Sequence, residues 1–236
     1  MRIRFDLLIR DPIFWLLIVS WMLFFLISFL HKSFTIKNAK KSLNSITRRL
    51  DAVYLPKGIG FNEAKKRVVN NDSINNDFNV ILNKSLNIVK NEISNSDLTV
   101  GMVGGLFFVL DINSNDFNLN GHIGTRIRVP LNRSFNINLK SKSFFDSIKY
   151  NFNFFNKSIV ENRYVIDSEN KEIFSKMLQN NSFKENIKHL PKFSLYVEED
   201  ILTLFVPEIV DSKNKISNLI FSSVGFVKLL YSYGSD

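Results

Sequence analysis

Pro12-Ile-Phe-Trp-Leu-Leu-Ile-Val-Ser-Trp-Met-Leu-Phe-Phe-Leu-Ile-Ser-Phe-Leu30 carries no charged side chain. Its only polar hydroxyls, Ser20 and Ser28, can bond back to their own helix. As an α-helix the run covers ~28 Å, close to the ~30 Å hydrocarbon core of a bilayer. Pro12 suits a first helical turn, where no N–H is needed. Trp15 lies where an indole can sit among headgroups, whereas Trp21 is mid-span. Such a helix is apolar on every side and must be covered by lipid or buried in a large core. A cleaved signal peptide would end in small residues, but Leu30 runs directly into His31 and Lys32. The reading is a retained transmembrane helix over 12–30, behind a short tail over 1–11.

The flanks of this span are basic. Arg2, Arg4 and Arg10 precede it, and Lys32, Lys37, Lys40, Lys41, Arg48 and Arg49 follow. The heavier basic flank stays inside, which predicts a cell-membrane protein with one span and a cytoplasmic C-terminal domain. Leu43, Ile46, Leu50 and Val53 recur at helical spacing, so residues 31–55 read as a basic juxtamembrane helix. Leu55-Pro56-Lys57-Gly58-Ile59-Gly60 ends it, giving a juxtamembrane unit over 31–56 and a soluble domain over 57–236. The six basic residues after the span are candidates for contact with anionic lipid headgroups. A solvated helix face that merely fixes topology explains them as well.

The chain of 236 residues is long enough for one domain beside an anchor. It has 23 Phe and no Cys, with a net charge of +9. Abundant Phe, Asn, Lys and Ile fit the codon usage of an AT-rich genome, so Asn-rich patches carry no functional weight. The absence of cysteine excludes disulfides, thiolate metal sites and cysteine nucleophiles.

The C-terminal part reads as an α+β domain, with a mostly antiparallel sheet covered by helices. Helices are expected over 77–93, 168–178, about 182–190 and 216–233. Leu106–Leu110, Phe117–Leu119, His122–Val129, Phe135–Leu139 and Tyr164–Ile166 read as strands, with a turn at Asn113–Asp116 and a close at Pro130. Asp167 offers a cap for the helix after it. Phe193–Val197 and Ile201–Val206 flank Glu198-Glu199-Asp200, a hairpin signal. The last helix has the length of a second span, but Ser217, Ser222, Ser223 and Lys228 favour an amphipathic helix docked on the sheet.

Catalytic and metal motifs fail on inspection. Asp111–Asp116 begins like a calcium loop but has Asp116 at the glycine position and His122 at the bidentate-Glu position. Gly101-Met-Val-Gly104-Gly105 leads into a strand, with no Lys-Ser/Thr, so it is no phosphate cradle. Ser168-x-x-Lys171 lacks the partner motifs of serine acylases. His31, His122 and His189 share no metal-ligand spacing, and adjacent Glu198, Glu199 and Asp200 diverge on a hairpin tip. No catalytic residue, metal or cofactor is expected. Nucleic acid is not an expected partner, because the basic residues cluster beside the span.

Phe154-Phe155-Asn156-Lys157, Arg163-Tyr164-Val165-Ile166-Asp167-Ser168, Glu172-Ile173-Phe174, Met177-Leu178, Phe183-Lys184-Glu185-Asn186-Ile187 and Ile201–Val206, with Gly121-His-Ile-Gly124 before them, form an ordered pattern. Over residues 100–233 it resembles an uncharacterised family of bacterial membrane-anchored proteins known only as a domain of unknown function. The resemblance implies a strand, an Asp-capped helix, a second short helix and a hairpin, in that order. Members carry two adjacent N-terminal spans, where this chain has one.

The expected function is therefore a membrane-tethered, non-enzymatic interaction or scaffold domain. The alternative is a membrane-anchored envelope enzyme. Its site would gather several of Glu161, Asp167, Glu172, Arg126 and His122 around one pocket.

Overall fold

A single helix, α1 (Pro12–Thr47), begins at the apolar stretch and runs 36 residues without a break, ~54 Å along its axis. Its first half is exposed on every side, with Trp21 at 69% and Phe29 at 71%. Further on, Ala39, Leu43 and Ile46 are fully buried. These follow i, i+4, i+7 spacing, one stripe facing a core. The computed structural model describes residues 12–47, 50–69, 90, 96–116, 122–133, 135, 137–141, 164–167, 176–177, 179–198 and 200–233.

The helix ends at Thr47, eight residues before the expected stop, and Asp51–Leu55 forms strand β1. Leu50 and Val53 fit the helical stripe, but Ala52-Val53-Tyr54-Leu55 also suits a strand, and here it finds a partner. Every residue of β1 pairs with β2 (Asp97–Val103). A full ladder outweighs local propensity differences of tenths of a kcal/mol. The stripe of α1 and Ala52 of β1 pack into the same core as the strands that follow.

After β1, helix α2 (Phe61–Val69) precedes β2. Strands β3 (Leu106–Asp116), β4 (His122–Pro130), β5 (Asn138–Ser141) and β6 (Tyr164–Asp167) come next. Helix α3 (Asn181–Lys188), the hairpin β7 (Ser194–Glu198) and β8 (Ile201–Val206), and helix α4 (Lys213–Tyr233) complete the order. One sheet contains all eight strands in the order β1-β2-β3-β4-β8-β7-β5-β6. Every pairing in it is antiparallel. The α+β class is as expected.

Turn chemistry sets the hairpins. Gly104 and Gly105, with φ of 57° and 80°, form the two-residue link between β2 and β3. Positive φ at both central positions is the type I′ geometry that matches strand twist. Asp200, at φ 62°, serves the expected β7–β8 hairpin. Two details differ from expectation. Asn113–Asp116 is not a turn but the end of β3, where Ser114, Asn115 and Asp116 pair with Gly124, Ile123 and His122 across a bulge after Ile112. The bulge absorbs one residue and lets the ladder continue through polar sequence. The strand expected at Phe135–Leu139 starts only at Asn138, although Phe135 and Ile137 are buried. Pro130 is the last residue of β4, opposite Ile201, where a missing N–H is tolerated.

Two cores flank the sheet. On one face Phe108, Leu110, Ile127, Val129, Leu202 and Leu204 meet α4, α3 and the stripe of α1. On the other, Leu98, Val100, Phe107 and Val109 meet Ile59, Ala64 and Val68 around α2. Helix α4 is docked, with Ile216, Leu219, Ile220, Val224, Val227 and Leu230 buried. Among the described residues only α1 is long and apolar enough to cross a membrane. The expected α3 is capped by the Asn180 side chain, which accepts from Ser182 and Phe183 N–H groups. The expected helix 77–93, apart from 90, and the strand Phe117–Leu119 lie outside the described residues, as does 168–178 apart from 176 and buried Met177.

Candidate functional site

The domain has a definite direction relative to α1. Lys40 of α1 meets Asp97 at the start of β2, while Asp51, just past the end of α1, pairs with Met102 near the end of β2. Helix α4 starts beside Ser42, whose hydroxyl donates to the Asp211 carbonyl at 2.6 Å. It ends past Gly104, where Lys228 lies over the glycine. So α1, β2, β4 and α4 all run the same way, and one end of the domain faces back toward the apolar half of α1.

Asp97 organises that end. One carboxylate oxygen accepts from the Tyr54 hydroxyl at 2.5 Å and the Lys57 N–H at 3.2 Å. The other lies 2.8 Å from the Lys40 ammonium. Burial pushes this carboxyl up, but hydrogen bonds from Lys40, Tyr54 and the Lys57 N–H, with the Lys40 charge, outweigh it and hold the group below the usual carboxylate range. Burial, together with the adjacent Asp97, pushes the Tyr54 phenol well above its ordinary value. Both groups therefore stay in fixed states at neutral pH, which suits a structural clamp rather than proton transfer.

A second clamp fixes the loop entering α4. The Thr125 hydroxyl donates to the Glu208 carbonyl at 3.0 Å and accepts from the Val210 N–H at 2.9 Å. Gly124 beside it allows β8 to approach, since a Cβ there would lie 2.0 Å from the Val206 carbonyl oxygen. In the interior, Asp111 is fully buried and its carboxylate lies 2.9 Å from Arg126. These residues oppose each other in the β3–β4 ladder. Arg128 is buried on the same face. A buried ion pair of this kind fixes register at least as much as it adds stability.

The expected lipid-contact residues separate into three groups. Lys32, Lys37 and Lys41 are exposed on α1. Lys40 is turned inward to Asp97. Arg48 and Arg49 lie outside the described residues. Of the residues expected for an enzyme site, only the Arg126 side chain is among those described. Arg126 is engaged with Asp111, Glu161 and Glu172 lie outside the described residues, and the side chains of His122 and Asp167 do as well. Ser168 and Lys171 are likewise outside. Among the described residues no three His, Asp or Glu side chains are placed to hold a metal ion. Among the described residues, an open surface depression runs along α1, lined by apolar residues including Phe14, Leu17, Trp21 and Phe25. Sequence reasoning missed Asp97, Tyr54 and Lys57. No local signal ties them together, because the β1–β2 register alone brings them to one point. Compared with protein-family models, curated proteins and solved structures, the chain matches none.

Proposed function

We propose that this protein is a membrane-tethered, non-enzymatic interaction or scaffold domain, anchored through the first half of α1 and cytoplasmic on its C-terminal side. One observation carries the reading: α1 passes unbroken from a half exposed on all sides to a half with a stripe in the domain core. Residues 12–30 include thirteen Leu, Ile, Phe and Val, and at about −0.3 to −0.6 kcal/mol each they favour insertion by about 4–8 kcal/mol. An unbroken helix makes the tether a strut, so the domain is held at a set distance from the bilayer. That suits presenting a surface better than searching for one. Lys32, Lys37 and Lys41 are then placed for headgroup contact. The envelope-enzyme alternative draws on no specific side-chain arrangement among the described residues.

Two measurements on native membranes test this reading. The full-length protein should stay with membranes through alkaline carbonate extraction. Protease added outside intact cells or spheroplasts should leave the domain whole. Release by carbonate would end the anchor reading, and digestion from outside would reverse the topology.

A further inference from the structure

We infer that the end of the domain facing the anchor is itself a docking surface for an anionic bilayer, built from Lys57, Lys213 and Lys215 around α1 and from Ile123 on an overhanging hairpin. This deepens the tethering proposal and rests on it. Three chain segments remote in sequence are pinned to α1 at one level. The Lys57 backbone is bound to Asp97, which also holds Lys40. Asp211, just before Lys213, is bound to Ser42. Lys57 and Lys215 are exposed and Lys213 is half-buried. None forms an ion pair among the described residues. With exposed Lys32, Lys37 and Lys41 this end carries six positive charges against Glu208, Asp211 and the hairpin residue Asp116, a net of +3, the Lys40–Asp97 pair cancelling.

Helix geometry sets the depth. Lys40 is ten residues beyond Leu30, so the collar lies ~15 Å from the end of the apolar stretch. The headgroup layer occupies roughly the first 5–8 Å of that. An extended lysine closes most of the remainder, and the gap falls within a Debye length of ~8–10 Å. The collar is therefore near enough to feel anionic phosphates but not deep enough to insert.

The β3–β4 hairpin reaches further. Strand β2 starts opposite Ile112 and strand β8 ends opposite Thr125, but β3 and β4 continue pairing to Asp116 and His122. Ile123 pairs with Asn115, two ladder steps and ~7 Å past the level of Asp97, the bulge at Asn113 taking up one residue. Its side chain is 41% exposed, among the described residues one of the few large apolar groups exposed outside the first half of α1. At that depth an isoleucine reaches the outer edge of the headgroup layer.

The chain has no cysteine, so a single introduced thiol labels one site. Full-length protein carrying Asn214→Cys, Ile123→Cys or Asn132→Cys is labelled with a fluorophore and reconstituted into vesicles. Some of the lipid carries a headgroup quencher. Asn132 is the control, ~25–30 Å beyond Ile123 at the opposite end of β4. Raising phosphatidylglycerol from none to about 30 mol % should increase quenching at position 214 at least about twofold. Salt at ~1 M, where the Debye length is ~3 Å, should reverse the gain, as should Lys57→Gln, Lys213→Gln and Lys215→Gln together. The label at 123 should be quenched in both lipids and the label at 132 in neither. Quenching at 214 that ignores lipid charge, in protein that resists carbonate extraction, overturns the collar and leaves the anchor standing. Extraction by carbonate overturns both.

Discussion

The two halves of α1 share one backbone and differ in what surrounds them. Between Pro12 and Leu30 no position is buried, so large apolar groups point in every direction. Between Ala39 and Ile46 only one stripe is buried, and Lys37, Lys41, Asn44 and Ser45 are exposed opposite it. The first pattern is stable only in a solvent that is apolar all round, the second only at a boundary between core and water. On the anchoring we propose, the helix changes solvent along its length. His31 and Lys32 mark where it occurs.

The largest test of this contrast exchanges one leucine for alanine in each half. Leu43→Ala empties a fully buried site between α1 and the sheet and should cost the domain about 2–5 kcal/mol. Leu23→Ala removes a side chain that is 51% exposed on the first half of α1 and should leave domain stability within about 0.5 kcal/mol. Thermal melts of the two full-length variants in detergent, followed by far-UV circular dichroism, would separate them. Equal melting temperatures would break the distinction between the halves.

The junction itself can be broken. Ser33→Pro sits between the halves, in an exposed stretch of helix. Proline there removes one backbone bond and clashes with the Phe29 carbonyl, a local cost of ~3 kcal/mol. The expected result is a protein that still inserts and melts at the parent temperature. The distance between spin labels at Leu23→Cys and Asn44→Cys should broaden. An unchanged narrow distribution would show that something other than helix continuity sets the spacing of domain and membrane.

How much of this could be read beforehand depended on how far each signal reaches along the chain. The apolar helix, the β7–β8 hairpin around Asp200, the strand His122–Pro130 and the docked α4 all rest on patterns within one segment. Such patterns survive folding because packing and local preference agree there. Asp51–Leu55 was misread because Leu50 and Val53 continue a true helical stripe, and only the partner strand β2 breaks the tie. Asn113–Asp116 was misread because polar residues mark turns unless a ladder claims them. The Asp97 clamp was invisible for the same reason on a larger scale. It joins residues 40, 54, 57 and 97, and no short window contains that relation. Lys57, Lys213 and Lys215 look like scattered surface lysines until hydrogen bonds to Asp97 and Ser42 place them around α1.

The smallest expected effect sharpens the comparison at the clamp where the second half of α1 joins the sheet. Asp97 has its carboxyl held below the usual range by Lys40, Tyr54 and the Lys57 N–H despite its burial. A carboxyl with a lower pKa folded than unfolded binds fewer protons in the native state, so it contributes stability above its unfolded pKa of ~3.9. That contribution fades as the pH falls through and below this value. Asp97→Asn removes the charge and should cost about 1–3 kcal/mol at neutral pH, mainly through weaker hydrogen bonds from Tyr54 and Lys57. The penalty should shrink toward zero once the pH falls below the lowered pKa of the folded carboxyl, where the parent carboxyl is protonated too. Lys40→Gln should cost less than about 1 kcal/mol, because the Lys40 side chain is 40% exposed and solvent screens its pairing. Urea melts of the three proteins between neutral and acid pH read both effects. A penalty for Asp97→Asn that stays constant across this range would mean the clamp acts through packing and not charge. The join between α1 and the sheet would then depend on the buried stripe of Ala39, Leu43 and Ile46 alone.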